Sequence, residues 1–398
     1  MTDPGPLAGE RICYTVTEDW YFARHWLGVA AAARARGARV LVVTRINDHR
    51  AAIEAAGVEV LPWRIVRLSA SPCQEAASIA ELCRWYRDWR PTIVHQVGLK
   101  PILYGSLAAR WAGVSGVLNV FAGLGSSFIG QGWRFRAWRV ILRPALRRAL
   151  RGERSLVMVQ NADDGALLVR SGVATEGQLR TLPGQGIDPD EFEPTPLPDG
   201  VPLVVLAGRL LREKGVFEFV EAARMLRARG VAARFALVGH PDVQNPGAVA
   251  ADQLALWRQE GIVEVWGFRA DMPSVYAQST IVCLPSYREG FPRVLIEAAA
   301  AGRPVVVTDV PGCRQAVRRG ETGLLVPLRD SEALARALGD LLADPTSRQR
   351  MGRMARSLVE REFAAPVILE QMMRVYLELG SSQTAATGGA GVVGEVEG

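Results

Sequence analysis

The sequence predicts two α/β domains, each a doubly wound, mainly parallel sheet covered by helices on both faces. Three observations lead there. At 398 residues the chain is too long for one comfortable core and suits two. Short β-branched runs alternate with longer alanine- and leucine-rich stretches through both halves. Between the two series lies LPGQGIDPDEFEPTPLPDGVP (182–202), an acidic stretch with six prolines that reads as an extended interdomain linker.

The elements follow in order. Residues 1–10 are expected to be disordered, and the first domain to span 11–181. Its strand candidates are RVLVV (39–43), VEVLPW (58–63), TIVHQV (92–97), GVLNVF (116–121) and SLVMVQ (155–160). The second domain, 203–365, offers PLVVLAG (202–208), RFALVG (234–239), VEVWG (263–267), TIVCLP (280–285) and PVVVTD (304–309). Apolar runs without clean alternation mark strands buried on both faces, as in parallel sheets. WLGVAAAARARG (26–37) and FEFVEAARMLRARG (217–230) read as helices, each closed by a glycine. After PVVVTD, helical patterns run to about residue 380. The small, polar, glycine-rich tail 381–398 is expected to be disordered.

Composition narrows the class. Hydrophobic residues at 49% and charged residues at 22% are ordinary for a globular enzyme. The five cysteines are scattered, with no C-x-x-C pair, which argues against a disulfide framework or zinc site and for a reducing compartment. The opening MTDPGPLAGE has neither a basic nor an apolar region, so no signal peptide is expected. Residues 111–133 carry no charge but contain six glycines, and read as a buried strand followed by a glycine-rich loop rather than a membrane span.

The chemistry concentrates in two segments. SYREGFPRVLIEAAAAG (286–302) joins two apolar strands through a loop and a helix. Glu289 in the loop and Glu297 two turns into the helix are placed to accept several hydroxyls of one ligand. Gly290 lets the backbone approach closely, and the N–H groups of Phe291, Arg293 and Val294 suit an anion at the helix start. An ordinary surface loop with a first-turn glutamate is the competing reading. AGRLLREKG (207–215) follows a strand directly and presents Arg209 and Lys214 where open α/β sheets bind ligands. A solvated basic turn is the rival there. The chain holds two lysines, Lys100 and Lys214, against 45 arginines, so a lysine in this loop is not incidental positive charge.

R-x4-K after the first strand of the second domain, followed by E-G-F-P-x4-E-A-x3-G-x-P-V-V, resembles the retaining GT-B glycosyltransferases of family 4. The match covers nearly all of residues 200–365. It implies two Rossmann-like domains facing across a cleft, with a C-terminal helix (366–380) crossing back onto the first. By the same resemblance, Arg209 and Lys214 bind the donor diphosphate beside Gly208, Glu297 holds the ribose and Glu289 the transferred sugar. Gly290, Phe291, Pro292, Arg293 and Val294 meet sugar and phosphates, and GFRADM (267–272), with Phe268, borders the base. Such enzymes need no metal or other cofactor, and the DPD at 188–190 reads as a turn.

The first domain departs from the family in two places. A Gly-Gly loop is replaced by TEDWYFARHW (17–26), and GVLNVFAGLG (116–125) has Ala122 and Gly123 where many members carry a histidine. Asp19, His25, His95, Lys100, Gly123 and Gly125 are the acceptor-side candidates. A structural role is the alternative for His95 and Lys100.

Net charge is +6, yet residues 132–151 hold seven arginines and no acid, so the rest of the chain sums to −1. There Phe135, Trp138, Leu142, Leu146 and Ala149 repeat at helical spacing beside Arg136, Arg139, Arg143, Arg147 and Arg151, with Pro144 expected to kink or interrupt the helix. Trp133, Arg136, Trp138, Arg139, Arg143 and Arg147 are candidates for an anionic membrane surface. The alternative is a core-packed helix with a solvated arginine face. No nucleic-acid-binding fold accompanies the arginines, so nucleic acid is not expected as a partner.

The expected function is transfer of a sugar from a nucleoside diphosphate donor, UDP-linked, to a saccharide acceptor on a polyprenyl diphosphate. Its setting would be cell-surface polysaccharide assembly at the cytoplasmic face of the membrane, with the enzyme peripherally bound. A UDP-sugar 2-epimerase on the same scaffold is the alternative, and a scaffold protein without turnover a third.

Overall fold

A computed structural model describes residues 5–66, 71–124, 133–243 and 245–380, and for 133–139 the backbone alone. The chain divides into two compact units. One gathers described residues of 1–159, 164–185 and 369–398; the other comprises 160–163 and 186–368.

The first unit is built on a seven-stranded parallel sheet, β1 Arg11–Glu18, β2 Arg39–Arg45, β3 Glu59–Pro62, β4 Ile93–Val97, β5 Gly116–Phe121, β6 Ser155–Val159 and β7 Leu179–Thr181. Spatial order is β3-β2-β1-β4-β5-β6-β7. Ile12 pairs with both Val40 and Ile93, which puts β1 at the centre. The second unit repeats the plan with six parallel strands, β8 Leu203–Ala207, β9 Arg234–Val238, β10 Glu264–Gly267, β11 Ile281–Leu284, β12 Val305–Thr308 and β13 Gly323–Val326, in the order β10-β9-β8-β11-β12-β13. Strands such as LVVLA and VVVT are buried along their whole length because helices cover both faces of each sheet.

In each sheet the order reverses once, between β1 and β4 and between β8 and β11. At such a switch point the loops leaving two adjacent strands diverge and open a crevice at their carboxyl ends.

Several expectations need correction. Residues 5–10 are not a loose leader: Leu7 is fully buried and its N–H donates to the Arg36 carbonyl at 3.0 Å. The runs read as strands omit β1, β7 and β13, so PVVVTD is not the last strand. Residues 186–202 do not hang free. Phe192 packs against Tyr276, and buried Arg303 donates to Thr195 Oγ1 and to the Tyr276 carbonyl. Arg356 adds bonds to the carbonyls of Pro189 and Phe192. Within the DPD turn, the Asp188 carboxylate accepts the Asp190 N–H.

All five cysteines are free thiols, four of them buried. Among the described residues no helix is long and apolar enough to cross a membrane. The expected disorder of 1–4 and 381–398 lies outside the described residues.

Candidate donor site

The carboxyl ends of β8, β9 and β10 come together through glycine. Gly208 donates its N–H to the Val238 carbonyl and Gly239 its own to the Gly267 carbonyl. A Cβ on Gly239 would lie 1.9 Å from the Gly208 oxygen, so no other residue fits that crossing. Beyond Gly208 the chain is pinned by buried Leu210 and Leu211 and turns through a single 3-10 turn, Arg212–Lys214. Gly215, at φ +72°, passes so close to the Pro285 carbonyl that a Cβ would sit 2.1 Å from its oxygen. The Tyr287 N–H donates to the Glu213 carbonyl at 2.8 Å. The loops after β8 and β11 are thereby locked together at the switch point.

That lock sets the central contact. Lys214 Nζ lies 2.5 Å from Glu289 Oε1, and Ser286 Oγ donates to the same oxygen at 2.6 Å. Ser286 is itself held by Thr308 Oγ1, which donates to its carbonyl. Glu289 Oε1 is thus occupied, and Oε2 is the oxygen left to accept from a ligand. Lys214 and Glu289 side chains are 19% and 12% exposed, accessible to a ligand yet shielded enough for the charges to interact strongly.

Glu297 sits on the helix Arg293–Ala300, with Oε1 accepting from Arg293 Nε at 2.6 Å and Oε2 from the Tyr276 hydroxyl at 2.9 Å. Burial, and then the neighbouring carboxylate, push the Tyr276 phenol well above its ordinary range, so it remains a donor. Each carboxylate oxygen retains a second lone pair for a ligand hydroxyl. Pro292 caps this helix without a side-chain bond, leaving the N–H groups of Arg293 and Val294 without intrahelical acceptors.

The sequence-predicted donor residues therefore fall into two contact groups, Lys214 with Glu289 and Arg293 with Glu297. Arg209 stands apart from both, half-exposed and paired with Asp242 at 2.9 Å. The Phe291 side chain turns inward against Phe363, so this residue offers its backbone. Phe268 is 67% exposed, with its ring edge against His240. Sequence reasoning missed Ser286, Tyr276, Asp242 and Asn161. Ser286 lies three residues before Glu289 and was within reach of a local reading; the others come from distant segments with no local signal.

The acceptor-side candidates fare differently. Asp19 is fully buried and accepts the N–H groups of Trp20, Asn47 and His49, together with the Asn47 side-chain amide. Burial alone would raise its carboxyl, but these donors together outweigh it and hold it below the usual carboxylate range. Asp19 therefore ties the Asn47–His49 loop to the start of its own helix. His95 is also a core residue, stacked on Tyr14 and bonded to the Tyr376 hydroxyl at 2.7 Å, and burial drives its pKa down to about 3. Lys100 is committed to Glu75 at 2.7 Å and to the Val66 carbonyl. His25 is half-buried beside Tyr21 and 3.3 Å from Gln185 Oε1, and Gly123 takes φ +113°. Gly125 lies outside the described residues.

The basic stretch forms one helix, Trp133–Ala149, with Pro144 inside it rather than ending it. Of the apolar stripe, Leu142 and Leu146 pack into the core with Leu150, Phe121 and Val157, so these two do not face a bilayer. Among the described side chains of this helix, Val140 and Ile141 are large apolar residues left 73% and 66% exposed. Arg143 is exposed, while Arg147 Nε donates to the Gly172 carbonyl. The side chains of Trp133, Arg136, Trp138 and Arg139 lie outside the description.

Comparison with known proteins supplies the family. The family profile described as "Glycosyl transferases group 1" matches residues 201–344, and that described as "Glycosyl transferase 4-like" matches 11–161. The chain belongs to the family 4 GT-B glycosyltransferases. It is 25% identical over 361 residues, 87% of its length and 93% of the relative's, to the Campylobacter jejuni N,N'-diacetylbacillosaminyl-diphospho-undecaprenol alpha-1,3-N-acetylgalactosaminyltransferase. It is also 30% identical over 169 residues to the Staphylococcus aureus capsular polysaccharide biosynthesis glycosyltransferase CapM, covering 42% of this chain and 44% of that one. Among solved structures, Anabaena HepE in complex with UDP and glucose superposes with a TM-score of 0.74 over 92% of this chain and 98% of that one, at 18% identity. The glycosyltransferase is a hexosyl- or N-acetylhexosaminyltransferase of bacterial polysaccharide-type lineage.

Proposed function

We propose that this glycosyltransferase moves a sugar, with retention of anomeric configuration, from a UDP-linked donor to a saccharide on a polyprenyl diphosphate. The observation that carries the reading is the 2.5 Å Lys214–Glu289 contact at the β8/β11 switch point, a phosphate-binding cation and a hydroxyl-binding carboxylate held side by side. Lys214 and Arg209 take the diphosphate, Glu297 the ribose and Glu289 Oε2 the transferred sugar, with Phe268 beside the base.

The acceptor hydroxyl attacks the anomeric carbon, the bond from that carbon to the phosphate oxygen breaks, and the proton passes to the departing diphosphate. Negative charge grows on the leaving group, where the two cations and the open helix start at Arg293 and Val294 stabilise it. With these groups in place the reaction as proposed uses no metal. Glu289 is assigned a binding role and no covalent step: Lys214 and Ser286 engage its Oε1 and Oε2 accepts from the sugar.

The acceptor class is supported by the Campylobacter relative, whose name specifies an undecaprenol-linked substrate, and the UDP assignment by the HepE complex. Exposed Val140 and Ile141 beside Arg143 suit peripheral attachment to an anionic leaflet on the cytoplasmic side. A mass-spectrometric donor screen with lipid-linked acceptors tests the reading. A UDP-sugar should lose its sugar to the acceptor. Folded enzyme that turns over no nucleotide sugar would overturn the proposal.

A further inference from the structure

We infer that Asn161 is a positioning residue of the donor loop: its amide fixes the Gly290–Phe291 peptide so that the Phe291 N–H, beside that of Gly290, faces the donor. This rests on the donor-site reading above and deepens it. Asn161 is fully buried, and its Nδ2 donates to the Gly290 carbonyl at 2.8 Å across 129 residues of sequence. It belongs to the short segment 160–163 that the second unit takes from earlier in the chain.

The argument runs through peptide geometry. A trans peptide holds its carbonyl and N–H antiparallel, so fixing the oxygen fixes the direction of the next N–H. Gly312 supplies the second restraint. At φ +82° it lies against two carbonyls, and a Cβ there would be 2.6 Å from the Glu289 oxygen and 2.7 Å from that of Gly290. Both oxygens therefore face Gly312, and the N–H groups of Gly290 and Phe291 point the opposite way. Successive N–H groups on one side of a loop form a concavity suited to an anion. The start of the helix Arg293–Ala300, which has no side-chain cap, follows directly and extends the row with the N–H groups of Arg293 and Val294.

Without the Asn161 amide, the Gly290 carbonyl loses its donor. A rotation of that peptide then turns an oxygen, rather than an N–H, toward the diphosphate. Asn161 acts through the backbone and touches no substrate itself. Its side chain is what a local reading of the E-G-F-P segment could not supply.

Asn161→Asp distinguishes positioning from mere packing, because the replacement is nearly isosteric and titrates. Protonated, the carboxyl donates its O–H to the Gly290 carbonyl and restores the anchor. Ionised, both of its oxygens repel that carbonyl. The probe is UDP, with dissociation constants measured by calorimetry on the full chain at pH 8 and pH 5, each expressed as a ratio to the native protein. Lys214, Arg288, Glu289, Asp163, Asp164 and Arg314, charged groups of the surrounding elements, are present in both proteins, so their own titration enters both dissociation constants.

The expected ratio is at least tenfold weaker binding at pH 8, falling to within about threefold at pH 5, the size of a lost or regained hydrogen bond to a charged or buried partner. A ratio near one at pH 8, or one that does not change with pH, overturns the inference. Asn161→Ala provides a second readout, with UDP binding weakened at least tenfold at both pH values while its circular dichroism stays native. Native-like UDP binding by folded Asn161→Ala also overturns it. Failure of the native protein to bind UDP would instead sink the donor-site reading, so the two failures are separable.

Discussion

Replacing Lys214 with Met and Glu289 with Gln, singly and together, separates what the pair does for the fold from what it does for the reaction. At an effective dielectric of about 20, unit charges 2.5 Å apart attract by roughly 7 kcal/mol, most of it offset by the desolvation of both groups. Lys214→Met leaves a largely shielded carboxylate with Ser286 as its remaining side-chain donor. The expected loss of stability is about 2 kcal/mol, scaled down from the cost of breaking a fully buried pair because both groups keep some solvent contact. In a unit of this size that lowers the thermal midpoint by roughly 4–8 °C. The double variant carries neither charge and should recover most of that loss. Activity should not recover with it. Lys214→Met removes a cation from the leaving diphosphate and should lower kcat by about 10²–10³, and adding Glu289→Gln should lower transfer further. The assay is a double-mutant cycle run twice, on thermal midpoints and on initial rates of nucleoside diphosphate release. A single Lys214→Met variant that keeps a third or more of the native kcat would refute the phosphate role. Strictly additive midpoints would refute the energetic coupling.

Other expectations follow from the same geometry. Tyr276→Phe removes the hydroxyl that orients Glu297, and should raise the donor KM about tenfold, the value of a hydrogen bond to a charged group, with a smaller change in kcat; initial-rate kinetics would show this. His95, whose folded pKa of about 3 lies below the unfolded value near 6.5, binds its proton more readily in the unfolded chain. Stability should therefore fall as pH drops from 6.5 toward 3, by up to about 1.4 kcal/mol per pH unit from this residue, and urea titrations of His95→Gln should lack that part of the slope. Val140→Ser with Ile141→Ser should reduce sedimentation with phosphatidylglycerol vesicles several-fold without changing turnover of a water-soluble acceptor, and unchanged sedimentation would remove this patch from membrane attachment.

The fold was legible because both sheets are made of apolar runs that need cover on each face, and such runs survive in sequence without any partner being known. β1 was missed for a physical reason. Its ICYTV core mixes Cys13, Tyr14 and Thr15 into the run, and these polar-capable side chains are satisfied by contacts that sequence does not show, Tyr14 by Tyr376 and Thr15 by Tyr86. The second-unit site was legible for the opposite reason. Its side chains cluster in two segments whose spacing is set by a single loop and a single helix, so Lys214, Glu289 and Glu297 could be named together before their contacts were known. What spacing could not show is which atoms remain available. Oε1 of Glu289 is occupied by Lys214 and Ser286, and Arg209 is held by Asp242, so binding a diphosphate must compete with carboxylates already in place. The same limit explains the first unit. His95 and Lys100 sit at a strand and a helix start where ligands bind in such folds, and sequence position alone gives no means of seeing that Tyr376 and Glu75 have claimed them. Residue type and spacing identify where charge is placed; the contacts decide whether that charge is free to act.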